Sequence, residues 1–108
     1  MAKSGYKFNG TKYMTRGVQN EIPLELQTAM WLMISENLKQ GLEMDYLQIF
    51  NLMPFYQNGV LCQKLVHSQE VPPRSKDLTL DVIDNAVKAK IYVIDDVEHI
   101  TMLLASEY

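Results

Sequence analysis

Cysteine is almost missing from the chain: Cys62 is the only one. A single thiol excludes an intrachain disulfide and any zinc site built from several cysteines, and it fits a reducing cytoplasm. Long apolar runs are missing as well. The longest, residues 29–34, is far too short to cross a bilayer, and residues 1–11 hold lysines but no apolar stretch of signal-peptide length. Neither membrane insertion nor export is expected, and the cytoplasm is the expected location. Positive charge is scarce: 10 Lys and Arg against 13 Asp and Glu give a net charge of -3, whereas affinity for phosphate backbones comes from accumulated cations. Nucleic acid is therefore expected as a partner only through a nucleoprotein. The sequence also lacks a phosphate-binding Gly-rich loop, a dinucleotide glycine fingerprint, a His-Glu-x-x-His helix and a Gly-x-Ser-x-Gly elbow. No catalytic residue, resident metal or cofactor is assigned.

What is present describes a chain that folds. Its 108 residues are 47% apolar and 21% charged, which suits one domain with one shared core. Residues 1–11, with Gly5 and Gly10 among polar neighbours, read as a flexible tail, and residues 12–108 as a single α+β domain. Charge is uneven along it. Residues 1–18 carry only Lys3, Lys7, Lys12 and Arg16, and residues 91–108 only Asp95, Asp96, Glu98 and Glu107.

A short strand is expected over residues 12–18. Pro23 then suits a helix start and Gly41 a helix stop, while Leu26, Ala29, Met30, Met33, Ile34 and Leu38 recur at spacings of three and four. The helix is amphipathic, and Leu24 and Trp31 widen its apolar stripe beyond what one small sheet requires. A deep core helix is the preferred reading, with a partner contact through Trp31 as the alternative.

Two strands, residues 45–56 and 60–69, flank Asn58-Gly59, the residue pair that accepts the positive φ angles of a tight hairpin turn. That turn places Leu52 opposite Leu65 and Phe50 opposite His67. Pro54 cannot donate a ladder hydrogen bond, so a bulge or a sheet edge is expected there. Both hairpin faces are apolar, and one helix covers only one of them, which points to a second segment or a homodimer. Residues 74–86 read as a connection with at most one short edge strand, and residues 89–95 and 100–107 as a closing strand pair. The expected order is β-α-β-β-(β)-β-β: an antiparallel β-meander of four to five strands with one amphipathic helix packed on it.

Ligand-type side chains gather at Asp95, Asp96, Glu98 and His99, with His67 and Glu70 as a second polar cluster. A divalent cation would accept such a set, but acidic residues are common in solvated turns, and the turn is preferred. Cys62 and His67, five residues apart on one strand, fall on opposite faces and roughly 16 Å apart, so they cannot form a nucleophile-base pair. Cys62 with His99 rests on residue type alone.

Several blocks in order, Tyr13-Met14-Thr15-Arg16-Gly17-Val18, Ile22-Pro23, Met30-Trp31, Asp45-Tyr46-Leu47-Gln48-Ile49-Phe50, His67-Ser68-Gln69-Glu70-Val71-Pro72, Ile94-Asp95-Asp96 and residues 101–108, resemble domain-of-unknown-function family 960, small proteins of Gram-positive bacteria. The resemblance runs from about Lys12 to the end and is weaker between residues 73 and 87. Val97 stands where a small turn residue is expected, and Ile100 where Ser is. It implies a cytoplasmic protein often associated with mobile genetic elements and supplies no activity.

The first functional expectation is a non-catalytic protein-interaction protein. Within that class, an acidic protein resembling mobile-element cargo is expected to inhibit a host nucleoprotein or defence complex, in the anti-CRISPR manner, by occupying a basic groove through Asp95, Asp96 and Glu98, with Trp31 as a further contact. The alternative is a metal-dependent hydrolase or nuclease using Asp95, Asp96 and His99 with His67 and Glu70. Nucleic-acid binding through the basic arm with Tyr6, Phe8 and Tyr13 is a third reading, which the net charge opposes.

Overall fold

The computed structural model describes residues 5–82 and 85–108. The chain runs through β1 (Thr11–Met14), α1 (Arg16–Glu21), α2 (Leu24–Lys39), β2 (Leu47–Gln57), β3 (Val60–Gln69), β4 (Arg74–Asp81), β5 (Ala89–Asp95) and β6 (His99–Leu104), and closes on a 3-10 turn, Ala105–Glu107. One sheet holds all six strands in the order β1-β6-β5-β2-β3-β4. Every neighbouring pair is antiparallel except β1 with β6, which is parallel. The expected antiparallel meander of four to five strands is thereby corrected to a six-stranded mixed sheet, within the expected α+β class.

Two local causes account for the difference. At Gly10 a Cβ would stand 2.6 Å from the Glu98 carbonyl oxygen, so only glycine lets the chain lie against the β5–β6 turn. There Thr11 N–H donates to Glu98 O at 3.2 Å, and the chain leaves alongside β6 in the same direction. The other cause lies in β4, expected as at most a short edge strand. It pairs with β3 from Cys62–Asp81 to Gln69–Arg74 without interruption, since an edge strand can stay polar and still complete its ladder on one side.

The expected strand over residues 12–18 stops at Met14, because Thr15 turns the chain. Its side-chain oxygen accepts from Val18 N–H and caps α1. Pro23 stands immediately before α2. At the other end Gly41 has φ +74, and Gly41 N–H and Leu42 N–H donate to Leu38 O and Asn37 O, the paired bonds of a left-handed helix stop. Asn58 and Gly59 have φ of 53 and 78, and the hairpin takes the expected register with Leu52 opposite Leu65 and Phe50 opposite His67. Pro54 causes no bulge. β5 pairs with β2 only over Leu47–Leu52, so Pro54 lies where that flank of the strand is an edge.

Both helices lie on one face of the sheet. Val18, Ile22, Leu26, Met30 and Ile34 are buried with Phe50, Leu52, Leu65, Ile91, Val93, Ile100, Met102 and Leu104 in one core. Gln27 Nε2 donates to Ile22 O at 2.8 Å and ties the two helices together. Residues 5–10, expected as part of a tail, run along the strand ends: Tyr6 N–H donates to Met44 O, Phe8 N–H donates to the Asp95 carboxylate, and the Phe8 ring is buried. No helix among the described residues is long and apolar enough to cross a membrane.

Candidate functional site

Strand alternation sends successive side chains to opposite faces, and this separates the polar residues singled out in the sequence. His67 lies on the helix side, 3% exposed, its ring stacked on Phe50 at 4.2 Å between centroids. Gln48 fixes its tautomer. Both protons of the Gln48 amide nitrogen are engaged, at Asp45 O (2.8 Å) and Gln69 Oε1 (2.9 Å), so Gln48 Oε1 accepts from His67 Nε2–H at 2.7 Å. Gln69 continues the network, donating to Glu43 O and Pro72 O while accepting from Asp45 N–H and Arg74 Nη2. Burial lowers the His67 pKa to about 4, with Arg74 and Lys76 adding to the shift. The space beside it measures about 10 Å³, room for no more than one water. His67 is a neutral structural group in a buried network, in which Arg74 Nε is left without a partner, and there is no space for a substrate.

His99 lies on the other face, edge-on to Tyr13 at 5.3 Å, and β5 and β2 separate its strand from β3. Three strand spacings amount to roughly 14 Å, which also parts Cys62 from His99. Glu70 is exposed just past β3. His67, Glu70 and His99 do not converge, and no group of three or more His, Cys, Asp or Glu among the described residues could hold a metal ion.

Asp95, expected at an accessible acidic contact, is 4% exposed. Its two oxygens accept from Phe8 N–H (2.9 Å) and Val97 N–H (2.8 Å), so it latches the N-terminal segment to the β5–β6 turn. Asp96 and Glu98 are exposed in that turn, and Asp96 Oδ1 accepts from His99 N–H at 2.7 Å. Trp31 is half-buried on the helix layer, with Lys12 Nζ 5.7 Å from its ring centroid. The four residues expected to share one surface therefore divide into a core latch, an exposed turn and a helix contact.

What the sequence did not single out is a corner of tyrosines. Tyr6 and Tyr46 have ring centroids 6.0 Å apart, and Tyr108 meets Tyr92 edge-on at 5.4 Å. Tyr6, Tyr46 and Tyr108 are 42%, 41% and 73% exposed. The Tyr46 phenol is pushed above its ordinary range, first by Tyr108, then by burial and by the charges of Asp45 and Glu70. The corner adjoins the sheet face that carries no helix, where Leu47, Ile49, Met53, Val66, Tyr92 and Ile94 lie half-buried. The Asp45-Tyr46 block and the alternation of β2 were signals of this surface; the contribution of Tyr6 and Tyr108 depends on contacts that span the chain.

A concavity of about 770 Å³ beside Pro54, Lys88 and Lys90 is lined by neither a carboxylate nor an imidazole.

Residues 11–107 match the family model described as a staphylococcal protein of unknown function, DUF960. No curated protein matches the chain. Among solved structures, it is similar to the crystal structure of a protein of unknown function from Enterococcus faecalis, at 26% identity and a TM-score of 0.70, over 97% of this chain and 98% of that one.

Proposed function

The chain belongs to the DUF960 family of staphylococcal proteins of unknown function, and we propose that it acts as a non-catalytic protein-interaction domain in the cytoplasm. One observation carries this reading: the sheet face opposite the helices holds the half-buried apolar side chains Leu47, Ile49, Val66, Tyr92 and Ile94, with Asn51 and Ser68 as polar neighbours. Apolar side chains gathered on an open sheet face of a small domain favour a contact site. A protein partner or a second copy of the chain would cover it.

The finer reading is an inhibitor of a host nucleoprotein or defence complex, of the anti-CRISPR type. Its support is physical: a net charge of -3 and the exposed Asp96 and Glu98 suit a basic groove. Asp95 stands behind these two as the buried latch that shapes the turn.

A pull-down from host lysate with the wild type, with Ile49→Glu on the open face and with Leu32→Glu on the exposed helix surface tests the proposal. A protein recovered by the wild type and by Leu32→Glu, and lost with Ile49→Glu, supports it. Equal recovery by all three, or no recovery, refutes it. Asp96→Lys with Glu98→Lys tests the finer reading, and unchanged recovery by that variant sinks it.

A further inference from the structure

Resting on the interaction reading above, we infer that the corner formed by Tyr6, Tyr46 and Tyr108 is a docking site for a cationic segment of a protein partner, taken up through arginine or lysine side chains laid on the tyrosine rings.

Three of the chain's aromatic residues already have a cation of their own: Lys12 over Trp31, Lys64 over Phe55 and Lys90 over Tyr92, at 5.7, 4.8 and 5.8 Å. Among the described residues Tyr6, Tyr46 and Tyr108 have no such partner, although they are well exposed. Aromatic faces attract cations through the ring quadrupole, and tyrosines clustered at a surface are common anchors of protein contacts.

The surroundings add negative charge. Tyr108 and burial, then Asp45 and Glu70, raise the Tyr46 phenol, while the Arg74 guanidinium is turned away to Glu43 O and Gln69 Oε1. The Asp45 carboxylate accepts from Tyr46 N–H at 2.8 Å and Val71 N–H at 3.2 Å, which fixes its charge in place. Glu70 is exposed beside it. Rings and carboxylates together select for charge and planarity, which favours arginine over lysine. The backbone under the rings is fixed, at Tyr6 by its bond to Met44 O and at Tyr108 by its bond to Ala105 O, and the rings contact others, Tyr6 with Tyr46 and Tyr108 with Tyr92. Little ordering is left to be done on binding.

The test uses the purified full chain and a synthetic peptide of alternating arginine and glycine, beside a peptide of equal length in which citrulline replaces arginine. Calorimetry gives the affinities, and tyrosine ring resonances report where the peptide sits. The arginine peptide is expected to bind at least about tenfold more tightly than its neutral counterpart and to shift the rings of Tyr6, Tyr46 and Tyr108. Tyr108→Leu is expected to weaken it about threefold and Tyr108→Phe to preserve it, because the ring face and not the hydroxyl carries the contact. Tyr108 is exposed enough for both variants to fold, which a thermal melt verifies. Glu70→Gln is expected to weaken binding and flatten its salt dependence.

Equal affinity for the two peptides, no binding of either, or an unchanged affinity in Tyr108→Leu overturns the inference. So does a shift of the same ring resonances on concentrating the protein alone, which would assign the corner to a second copy. Loss of the peptide result while the Ile49→Glu pull-down still discriminates would remove this site and leave the interaction reading intact.

Discussion

At the scale of single residues, the buried imidazole sets a pH limit. In the unfolded chain His67 takes up a proton near its ordinary pKa of 6.5, but in the fold burial against Phe50 delays this to about 4. The unfolded state therefore binds more protons between these values, and stability falls as pH drops through that window. The contribution is fully present above about pH 6.5, and about 3 kcal/mol of it is lost by about pH 4. Chemical denaturation at intervals from pH 7.5 to 4 should record the fall, and His67→Gln should flatten it. Val97 is a second site of tension: it has φ 83 and an exposed side chain, a conformation that β-branched residues rarely adopt. Val97→Gly is expected to raise stability by about 1 kcal/mol, read as a rise of several degrees in melting temperature. The family resemblance implied a small turn residue at this position. The sequence could not identify Asp95 as a latch, because one of its two partners, Phe8, lies 87 positions away.

At the scale of elements, that latch joins the N-terminal segment to the strand ends. Asp95→Ala would strip two backbone N–H groups of a charged acceptor, one of them in a buried contact, and is expected to cost about 2–4 kcal/mol. Hydrogen exchange should show protection lost first over residues 5–11, with α2 and the β2–β3 hairpin still protected. Those two elements were legible because each is specified locally, α2 by its apolar spacing and Gly41, the hairpin by Asn58-Gly59. α1 was not. With six residues, one of them Gly17, it has too little periodicity to stand out, and its only local mark is the capping Thr15. The strand pairing of β1 with β6 was equally hidden, since it depends on the room left by Gly10 at a distant turn.

For the molecule as a whole, the sequence disclosed an α+β domain with an apolar hairpin face in excess of what one helix can cover. It did not disclose strand order, which is set by which ladders can be completed together rather than by any one segment. The same limit applied to the acidic cluster. Side chains close in sequence, such as Asp95 and Asp96, point to different environments once the strand alternates, whereas the rings of Tyr6 and Tyr46 meet from separate segments of the chain. Millimolar manganese, magnesium or zinc is expected to leave the melting temperature unmoved, because the described carboxylates and imidazoles do not converge. A rise of several degrees would revive the metal-dependent alternative.

The contact between Phe8 and Asp95 joins residues 87 positions apart, and β1 pairs with β6 across a similar span. During synthesis, β1 has to wait until β2 to β5 have been made before its partner β6 follows and its ladder can close. Until residues 99–104 emerge, β1 lacks its partner strand, and the helices that follow it can rest only on a partial sheet. A nascent chain stalled before β6 should therefore expose the face that the folded domain keeps hidden, and the arrival of β6 would act as the step that commits the fold.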